Sequence, residues 1–478
     1  PVATSGCPGY RAMRRLPPIP VLVAALAALA GLPAHGLRRS SPQGSSAESP
    51  QAVPFYMYDL PKWTANCGGR NRGSSDISDR VNGYYHQNEF PDVALYEVLK
   101  DHPWRVTNGS KAMLFVVPGY FSASLNELCG EHRENMQEVA EMLKRSPYFR
   151  QSRGRDHLIS AFEYQMTPRN VVQKFADQTR SKFIVLHCEK DAFKRSLVVP
   201  YGPASGRGVN IEQVPPAKRR HSLFFMGQAN SKYAYRTRRR ALRYLPAAFP
   251  DGVLIQATQG FEAEWDRRSA NFGDDTPDLK TPLPPCNATK TKIGCQMPYD
   301  YKEYIELGRQ SNYSLFIHGD TPSSSRLYDT LQFGQVPIVI SDKWRKVAMP
   351  FPEELPWDDF VVFVSQASFV ENATAAIKAA MAKVPLSGAT WELVQRVRPL
   401  LDWHHGGHCI GTAVLSSAAR QYLGMKGLPP ALNSPYCSRA YLDSRPPAAL
   451  PHLMRAPRGP GLAQEETPQE PALEQDMG

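Results

Sequence analysis

A loop of small and polar residues lies between a predicted strand and a predicted helix near residue 320. It reads Gly-Asp-Thr-Pro and continues into three serines, which suit the start of a helix from about 324 to 333. Free N–H groups at such a start, facing a crevice at a strand end, favour a pyrophosphate. The guanidinium of Arg326, in the first turn of this helix, could bind phosphate through two hydrogen bonds. The carboxylate of Asp329, three residues later, could accept hydrogen bonds from ribose hydroxyls. The residues predicted to contact such a ligand are Gly319, Asp320, Ser323, Ser324, Ser325, Arg326 and Asp329.

Arg326 and Asp329 have an alternative interpretation as a surface ion pair. Residues three apart share a helix face, and such a pair stabilises a helix by roughly 0.2–0.5 kcal/mol. A loop of glycine, proline and three serines is not needed for packing alone. The sequence therefore favours a ligand site over a surface ion pair.

A second cluster of possible ligands reads His-His-Gly-Gly-His-Cys from 404 to 409. His404, His405, His408 and Cys409 have a spacing that zinc sites use, but the run contains two glycines and lacks a second ligand cluster. A structural role or a disulfide for Cys409 is therefore the favoured interpretation.

The body of the chain alternates short apolar runs with helical patterns, which predicts parallel sheets covered by helices on both faces. A break at 210–218, which contains two prolines, indicates a domain linker. We therefore predict an α/β fold of two doubly wound domains that face each other, 53–214 and 215–426. The Pro- and Lys-rich segment 274–298 is predicted to be an insertion loop. The predicted strands are 55–58, 113–117, 157–162 and 183–187, then 222–226, 252–256, 313–317, 336–340 and 360–364.

The two ends of the chain differ in composition from the body. Residues 16–34 are apolar and uncharged and follow three arginines, and their length leaves a signal-anchor and a cleaved signal peptide both open. With an anchor, residues 1–15 form a cytosolic tail, and the Ser-, Pro- and Gln-rich residues 35–52 form a stem. Residues 427–478 are rich in Pro and Ala and then acidic, which predicts a disordered tail.

The charge balance allows several kinds of partner. A formal net charge of +11 fits nucleic acid, a membrane surface, or a phosphate-bearing or acidic saccharide. The basic runs at 218–220 and 236–240 are typical of a solvated helix face. A nucleic-acid-binding protein would not explain the apolar leader or the glycosylation sequons, so no nucleic-acid partner is predicted.

Sequons and cysteines agree with a body in the secretory lumen. Seven cysteines follow Cys7, an odd number that leaves one unpaired if the others form disulfides. Cys286 and Cys295, which flank a short loop, are the predicted disulfide. The sequons begin at Asn108, Asn287, Asn312 and Asn372.

The stretch 313–351 resembles the C-terminal signature of exostosin-family glycosyltransferases, and its loop is similar to those of plant and algal members. In that signature a Gly-Asp-Thr-Pro-Ser-type loop precedes an Arg-Leu-aromatic-acidic helix, a glycine, an apolar strand and Ser-Asp. Weaker matches extend over most of 55–364. Gln335 and Val336 depart from the family pattern, a difference expected to affect packing only. The matching positions are Gly319, Asp320, Thr321, Pro322, Ser323, Arg326, Leu327, Asp329, Gly334, Pro337, Ser341, Asp342, Pro350, Phe351 and Trp357.

The resemblance implies the GT-B fold of two facing Rossmann-like domains. It also implies an inverting transfer from a UDP-sugar to a glycan or polysaccharide acceptor, by a single-pass type II Golgi membrane protein with a luminal body. By the same match, Arg326 and Asp329 hold the nucleotide, and Gly227 with Arg236 or Arg239 approaches the pyrophosphate. A homologous partner subunit is possible, and the alternative function is that of a non-catalytic partner in a transferase complex.

An inverting transfer needs a base for the acceptor hydroxyl and positive charge for the leaving diphosphate. Carboxyl ends of strands in the first domain are the preferred places for the base, which gives Asp59 and Glu163, with Glu163 as first choice. His157 matches the family pattern but precedes its strand. No Asp-x-Asp triplet occurs in the chain, so we predict metal-independent catalysis with no metal site and no tightly bound cofactor.

Overall fold

The computed structural model describes ten stretches of the chain. Glu163, Asp320, Asn287 and the apolar segment 16–34 lie outside them. Within the described ranges, no helix is long and apolar enough to cross a membrane. The ranges are 52–67, 90–125, 129–162, 182–190, 193–202, 211–229, 235–258, 283–286, 292–319 and 321–444.

The first half of the body forms a five-stranded parallel sheet in which the strands follow their order in the chain. Each strand is a short apolar run that is buried almost throughout, as expected for a sheet covered on both faces. Its strands are Phe55–Met57 (β1), Leu114–Val117 (β2), His157–Ser160 (β3), Ile184–His187 (β4) and Ser196–Val198 (β5), with helices Phe90–Lys100 (α1), Phe121–Leu125 (α2), His132–Arg145 (α3) and Pro147–Ser152 (α4).

The second half forms a six-stranded parallel sheet. Its strands are His221–Gly227 (β6), Val253–Thr258 (β7), Ile293–Pro298 (β8), Ser311–Ile317 (β9), Val336–Ile340 (β10) and Val362–Val364 (β11). Its helices are Arg236–Tyr244 (α5), Tyr301–Arg309 (α6), Arg326–Gln332 (α7), Trp344–Val347 (α8), Trp357–Phe360 (α9), Gln366–Glu371 (α10) and Ala373–Lys383 (α11). The predicted α/β fold with two parallel sheets is confirmed.

The strand order of the second sheet is β8-β7-β6-β9-β10-β11. Numbered within the sheet, this is the order 3-2-1-4-5-6 of a Rossmann fold, in which the direction of winding reverses between the first and fourth strands. The reversal here falls between β6 and β9. Ligands of such sheets bind in the crevice outside the carboxyl ends of these two strands.

Two C-terminal helices, Gly388–Leu401 (α12) and His408–Leu423 (α13), connect the sheets. Residues of both helices share one buried cluster with residues of the first and second sheets. Between the helices, Trp403 donates from its indole Nε1 to the Pro200 carbonyl at 2.8 Å. In α13, the Tyr422 hydroxyl donates to the Ser196 carbonyl in β5 at 2.6 Å. The helices thus fix the second sheet relative to the first.

The structure corrects the predicted start of the disordered tail at 427. Leu428, Ala431 and Cys437 are buried, and Cys437 forms a disulfide with Cys409. Two short 3-10 helices, Ala431–Asn433 and Pro435–Cys437, precede a last helix, Arg439–Ser444 (α14). Residues 427–444 therefore belong to the folded body, because a cross-link and buried apolar side chains offset the entropy of ordering them.

The segment predicted as an insertion loop, 274–298, also contains a strand. Its last six residues form β8 at the edge of the second sheet, beside β7. The predicted pair Cys286 and Cys295 is joined by a disulfide, which ties this strand to the preceding residues. A third disulfide joins Cys67 to Cys129. Among the described cysteines, Cys188 is buried and is not part of a disulfide.

Candidate active site

The predicted ligand loop lies at the point where the winding of the second sheet reverses. It leaves the carboxyl end of β9 and enters α7, which returns the chain to β10. The carboxyl end of β6, at Gly227, is on the strand adjacent to β9. The structure therefore brings the loop and Gly227 to the same edge of the sheet. The approach of Gly227 to a pyrophosphate, which the resemblance implies, stays a prediction.

Arg326, the first residue of α7, lies across the end of β6. Its Nη1 donates to the Met226 carbonyl, and its guanidinium carbon is 5.3 Å from the centre of the Phe225 ring. A Cβ built on Gly227 would overlap this guanidinium. Position 227 must therefore be glycine for the arginine to lie here. One guanidinium has five N–H donors, so Arg326 places a cation with several donors at the crevice.

A second arginine, Arg238 in α5, was not predicted from the sequence. It is 5% exposed, and its Nε and Nη2 donate to the Ile317 carbonyl at 3.2 and 3.1 Å. Its Nη1 donates to the Gln228 carbonyl at 3.0 Å, and a Cβ on Gly319 would come within 2.8 Å of Nη2. Arg238 thus joins the carboxyl ends of β6 and β9 beneath the loop.

The two predicted arginines of this helix, Arg236 and Arg239, are half-buried on either side of Arg238. The structure brings Arg236 close to His318, the residue after β9. Burial lowers the pKa of His318, and the nearby charges of Arg238 and Arg236 lower it further. The His318 ring is therefore neutral at physiological pH, and the positive charge near it comes from Arg238 and Arg236.

Asp329 does not face open space in this structure. It is 1% exposed, and its Oδ2 accepts a hydrogen bond from the Tyr304 hydroxyl at 2.9 Å. Burial raises the pKa of Tyr304 well above its usual value, and the Asp329 charge raises it further, so Tyr304 stays a donor. The carboxylate fixes α7 against α6, and its contact with a ribose is a prediction.

The serine cluster contacts an acidic residue from the first sheet. Ser323 is 7% exposed, and its backbone N–H and hydroxyl donate to Oε1 of Glu189 at 3.1 and 2.8 Å. Glu189 follows β4 by two residues. Ser324 accepts from the Arg326 N–H at 3.4 Å, and Ser325 is buried. The carboxyl ends of the two sheets therefore meet across the ligand loop.

The candidate bases differ in position. Asp59 is exposed at the carboxyl end of β1, whereas Glu163 lies outside the described residues. His157 is fully buried at the amino end of β3, where its Nε2 is 2.9 Å from the Tyr58 hydroxyl and its Nδ1 is 2.6 Å from Asp156. Its strand separates it from the carboxyl edge by about 10 Å. The structure thus does not bring His157 to the crevice.

The sequons also differ in position. Asn108 and Asn372 are exposed. Asn312 lies in β9, a central strand, and its Oδ1 is buried. The residue as a whole is half-buried, and glycosylation at Asn312 stays a prediction. Asn287 is outside the described residues.

The histidine-rich run is part of the connection between α12 and α13. Asp402 is buried and accepts from His405 Nδ1 at 2.9 Å, while Cys409 is in its disulfide. Within the described ranges, no group of three or more His, Cys, Asp or Glu has the arrangement of a metal site. Cys409 thus forms a disulfide, one of the two roles that the sequence favours for it.

Comparison with known proteins gives a family match and several distant relatives. The Exostosin GT47 domain family matches residues 50–379. A probable arabinosyltransferase of Arabidopsis thaliana is 25% identical over 365 residues, 70% of each chain. A probable β-1,4-xylosyltransferase of the same plant is 23% identical, covering 58% of this chain and 61% of its own. The solved structure of WaaG, a glycosyltransferase of lipopolysaccharide biosynthesis, is 11% identical over 78% of this chain and 100% of its own, with a TM-score of 0.31; that score is too low to show a common fold.

A parallel α/β protein with a Rossmann-ordered sheet, and with two arginines at the strand ends where such a sheet binds its ligand, belongs to the class of nucleotide-binding folds. The family match covers most of the described body and includes the ligand loop. The chain therefore belongs to the exostosin GT47 family, and it is a glycosyltransferase.

Proposed function

We propose that the protein transfers a sugar from a UDP-sugar to a glycan or polysaccharide acceptor with inversion at the anomeric carbon. The observation that carries this proposal is the convergence of Arg326, Arg238, Gly227 and Ser323 at the carboxyl ends of β6 and β9. This is the edge at which a Rossmann sheet binds a nucleotide. The plant relatives are named as probable arabinosyl- and xylosyltransferases, and a rice relative as a probable glucuronosyltransferase, which supports a pentose or hexose-derived donor.

The chemistry of transfer requires that negative charge on the leaving diphosphate be stabilised. Arg326 supplies a guanidinium beside the loop, and hydrogen bonds between a guanidinium and phosphate are among the strong ones in proteins. Arg238 is anchored by three bonds to carbonyl groups, so it contributes fixed positive charge under the loop. We propose that this charge, without a metal ion, supports departure of the diphosphate.

The first sheet supplies the acceptor side in this proposal. Its carboxyl edge meets the ligand loop through Glu189 and Ser323. An acceptor bound along that edge would present its hydroxyl to the anomeric carbon from the face opposite the diphosphate, as inversion requires. Asp59 and Glu163 stay predicted candidates for the base.

We also propose a luminal location in the Golgi with an N-terminal membrane anchor. Three disulfides support an oxidising compartment. The apolar segment 16–34, with arginines before it, and the exposed sequons at Asn108 and Asn372 support the same orientation.

The test of the donor is the thermal stability of the full chain with UDP, ADP or GDP, each with Mn²⁺ or with EDTA. A ligand present at 100 times its Kd stabilises the folded state by about 2.7 kcal/mol. Of the three nucleotides, we expect only UDP to raise the melting temperature, and the increase is expected to be the same in EDTA as in Mn²⁺. A shift that needs Mn²⁺ would contradict metal independence, and no shift with any nucleotide would contradict the UDP-sugar donor.

Gly227→Ala is expected to weaken UDP binding about tenfold, because the new Cβ must displace the Arg326 guanidinium. Isothermal titration calorimetry with UDP measures the change. The matched control is Gly388→Ala at the start of α12, where a Cβ would meet no atom within 4 Å. Equal UDP affinity of the Gly227 variant and the control would show that Arg326 does not act from this position.

A further inference from the structure

Glu189 is an acidic residue of the first sheet whose side chain reaches the ligand loop of the second. Its Oε1 accepts from the N–H and the hydroxyl of Ser323, and the residue is half-buried. The hydroxyl contact of 2.8 Å lies within the range a general base needs toward the proton it removes. Ser323 therefore occupies, in this structure, the position of a hydroxyl donor to Glu189.

The backbone of Glu189 is held by a buried histidine. His187, the last residue of β4, accepts the Glu189 N–H at its Nδ1 at 2.9 Å. Burial lowers the pKa of His187, so its ring is neutral. The same Nδ1 is 3.0 Å from the Glu189 carbonyl oxygen, so either neutral tautomer of the ring can bond to the Glu189 backbone. Because His187 is itself paired to Val198 in β5, the carboxylate projects from a fixed point at the strand end.

The other described candidates for the base are less well placed. Asp59 follows β1, which is three strands from β4, a separation of about 14 Å at the usual strand spacing. His157 is at the opposite edge of the sheet. Glu189, in contrast, contacts the loop on which the donor is proposed to bind.

We propose that Glu189 is the general base of the transfer, an inference that rests on the proposed function. When acceptor and donor are bound, the acceptor hydroxyl gives its proton to Glu189. The acceptor oxygen then forms a bond to the anomeric carbon as the bond from that carbon to the diphosphate oxygen breaks. The bonding electron pair leaves on the diphosphate beside Arg326, and Glu189 later returns its proton to water.

The decisive variant is Glu189→Gln, which keeps an oxygen that can accept from Ser323 but cannot take up a proton at neutral pH. The wild-type protein is first tested with UDP-arabinose, UDP-xylose and UDP-glucuronic acid, with water or a glycan as acceptor. The donor from which it releases UDP fastest is then used to compare the rate of UDP release by the variant with that of the wild type. General-base catalysis contributes about 10²–10⁴-fold, so we expect a rate loss in that range. UDP affinity, measured by calorimetry, is expected to stay within about threefold of wild type.

Chemical rescue separates a base from a structural contact. Glu189→Ala leaves the space of the carboxylate empty, so an added formate ion can take its place as the base. We expect formate to raise the rate of UDP release by Glu189→Ala at least about tenfold above the rate of the same variant without formate. Formate should leave the rate of Glu189→Gln unchanged. Glu212→Gln, the same change at an exposed residue, is the matched control and is expected to keep the wild-type rate.

The outcomes distinguish this proposal from the proposed function. If the wild-type protein binds UDP and Glu189→Gln releases UDP within about fivefold of the wild-type rate, Glu189 is not the base. If that variant loses UDP affinity and rate in equal proportion, Glu189 acts in donor binding and the proposal is overturned. If the wild-type protein does not bind UDP, the proposed function itself fails.

Discussion

Arg326→Ala is expected to weaken UDP binding by at least about 100-fold, or ~2.7 kcal/mol. The guanidinium lies across the end of β6 and is held there by the Met226 carbonyl and the Phe225 ring. Removing it takes away charge-assisted hydrogen bonds that are about twice as strong as neutral ones. Arg326→Lys is expected to lose much of this affinity too, since an ammonium cannot reproduce the planar fork. Calorimetric titration of the full chain with UDP measures both.

The same titration needs a control for the loss of one positive charge. Arg150→Ala removes an exposed arginine from α4, the helix that precedes the amino end of β3, and UDP affinity is expected to stay at the wild-type value. Circular dichroism checks that each variant is folded. A folded Arg326→Ala protein that binds UDP within about threefold of wild type would remove Arg326 from the donor site.

Nine of the eleven described strands could be predicted because each of them is a short apolar run, whereas β5 and β8 were missed. The predicted 336–340 agrees with β10 at both ends, and 183–187 with β4 to one residue. The edge strand β8 was missed because its sequence, Ile-Gly-Cys-Gln-Met-Pro, has one β-branched residue and a glycine. Its position depends on pairing with β7 and on the Cys286–Cys295 disulfide, which a local pattern does not contain.

The sequence around Arg238 contains a helical pattern that could have identified this arginine as buried. In a helix of period 3.6, Arg238 shares a face with Ala241, Leu242 and Leu245, all of which are buried. An arginine on the apolar face of a helix that follows a strand end is expected to point at backbone or ligand. By the same period Arg239 lies beside that face and Arg236 on the opposite side of the helix. Hydrophobic periodicity therefore identifies the arginine that the basic run alone does not.

Glu189 and the C-terminal segment could not be found in this way, because both depend on contacts between distant parts of the chain. The Glu189–Ser323 hydrogen bonds span 134 residues. Residues 427–444 have the composition of a tail, yet they are ordered by the Cys409–Cys437 disulfide and by a buried carboxylate, Glu354. Local composition predicts order only where the stabilising partners are also local.

Glu354→Ala is expected to destabilise the folded state by about 3–5 kcal/mol. The side chain is buried; its Oε1 accepts from Arg420 at 2.9 Å and its Oε2 from the Ala431 N–H at 2.6 Å. Alanine would remove the acceptor of the Arg420 guanidinium in α13 and of the Ala431 N–H. A buried donor without a partner lowers the free energy of unfolding by about 1–3 kcal/mol by itself. Urea unfolding followed by tryptophan fluorescence measures the loss, since Trp344, Trp357 and Trp403 lie in the same core.

The neighbouring residue supplies the control for this change. Glu353 is exposed, so Glu353→Ala removes the same charge one residue away and is expected to shift stability by no more than ~0.5 kcal/mol. Glu354→Gln should fall between the two, because an amide oxygen still accepts one bond but carries no charge for Arg420. If Glu354→Ala and Glu353→Ala unfold at the same urea concentration, the C-terminal segment is not held by this carboxylate. A large difference would mean that the segment after α13 stabilises the same core that positions α7 and its arginine, since Leu327 of α7 and Ala431 belong to one buried cluster.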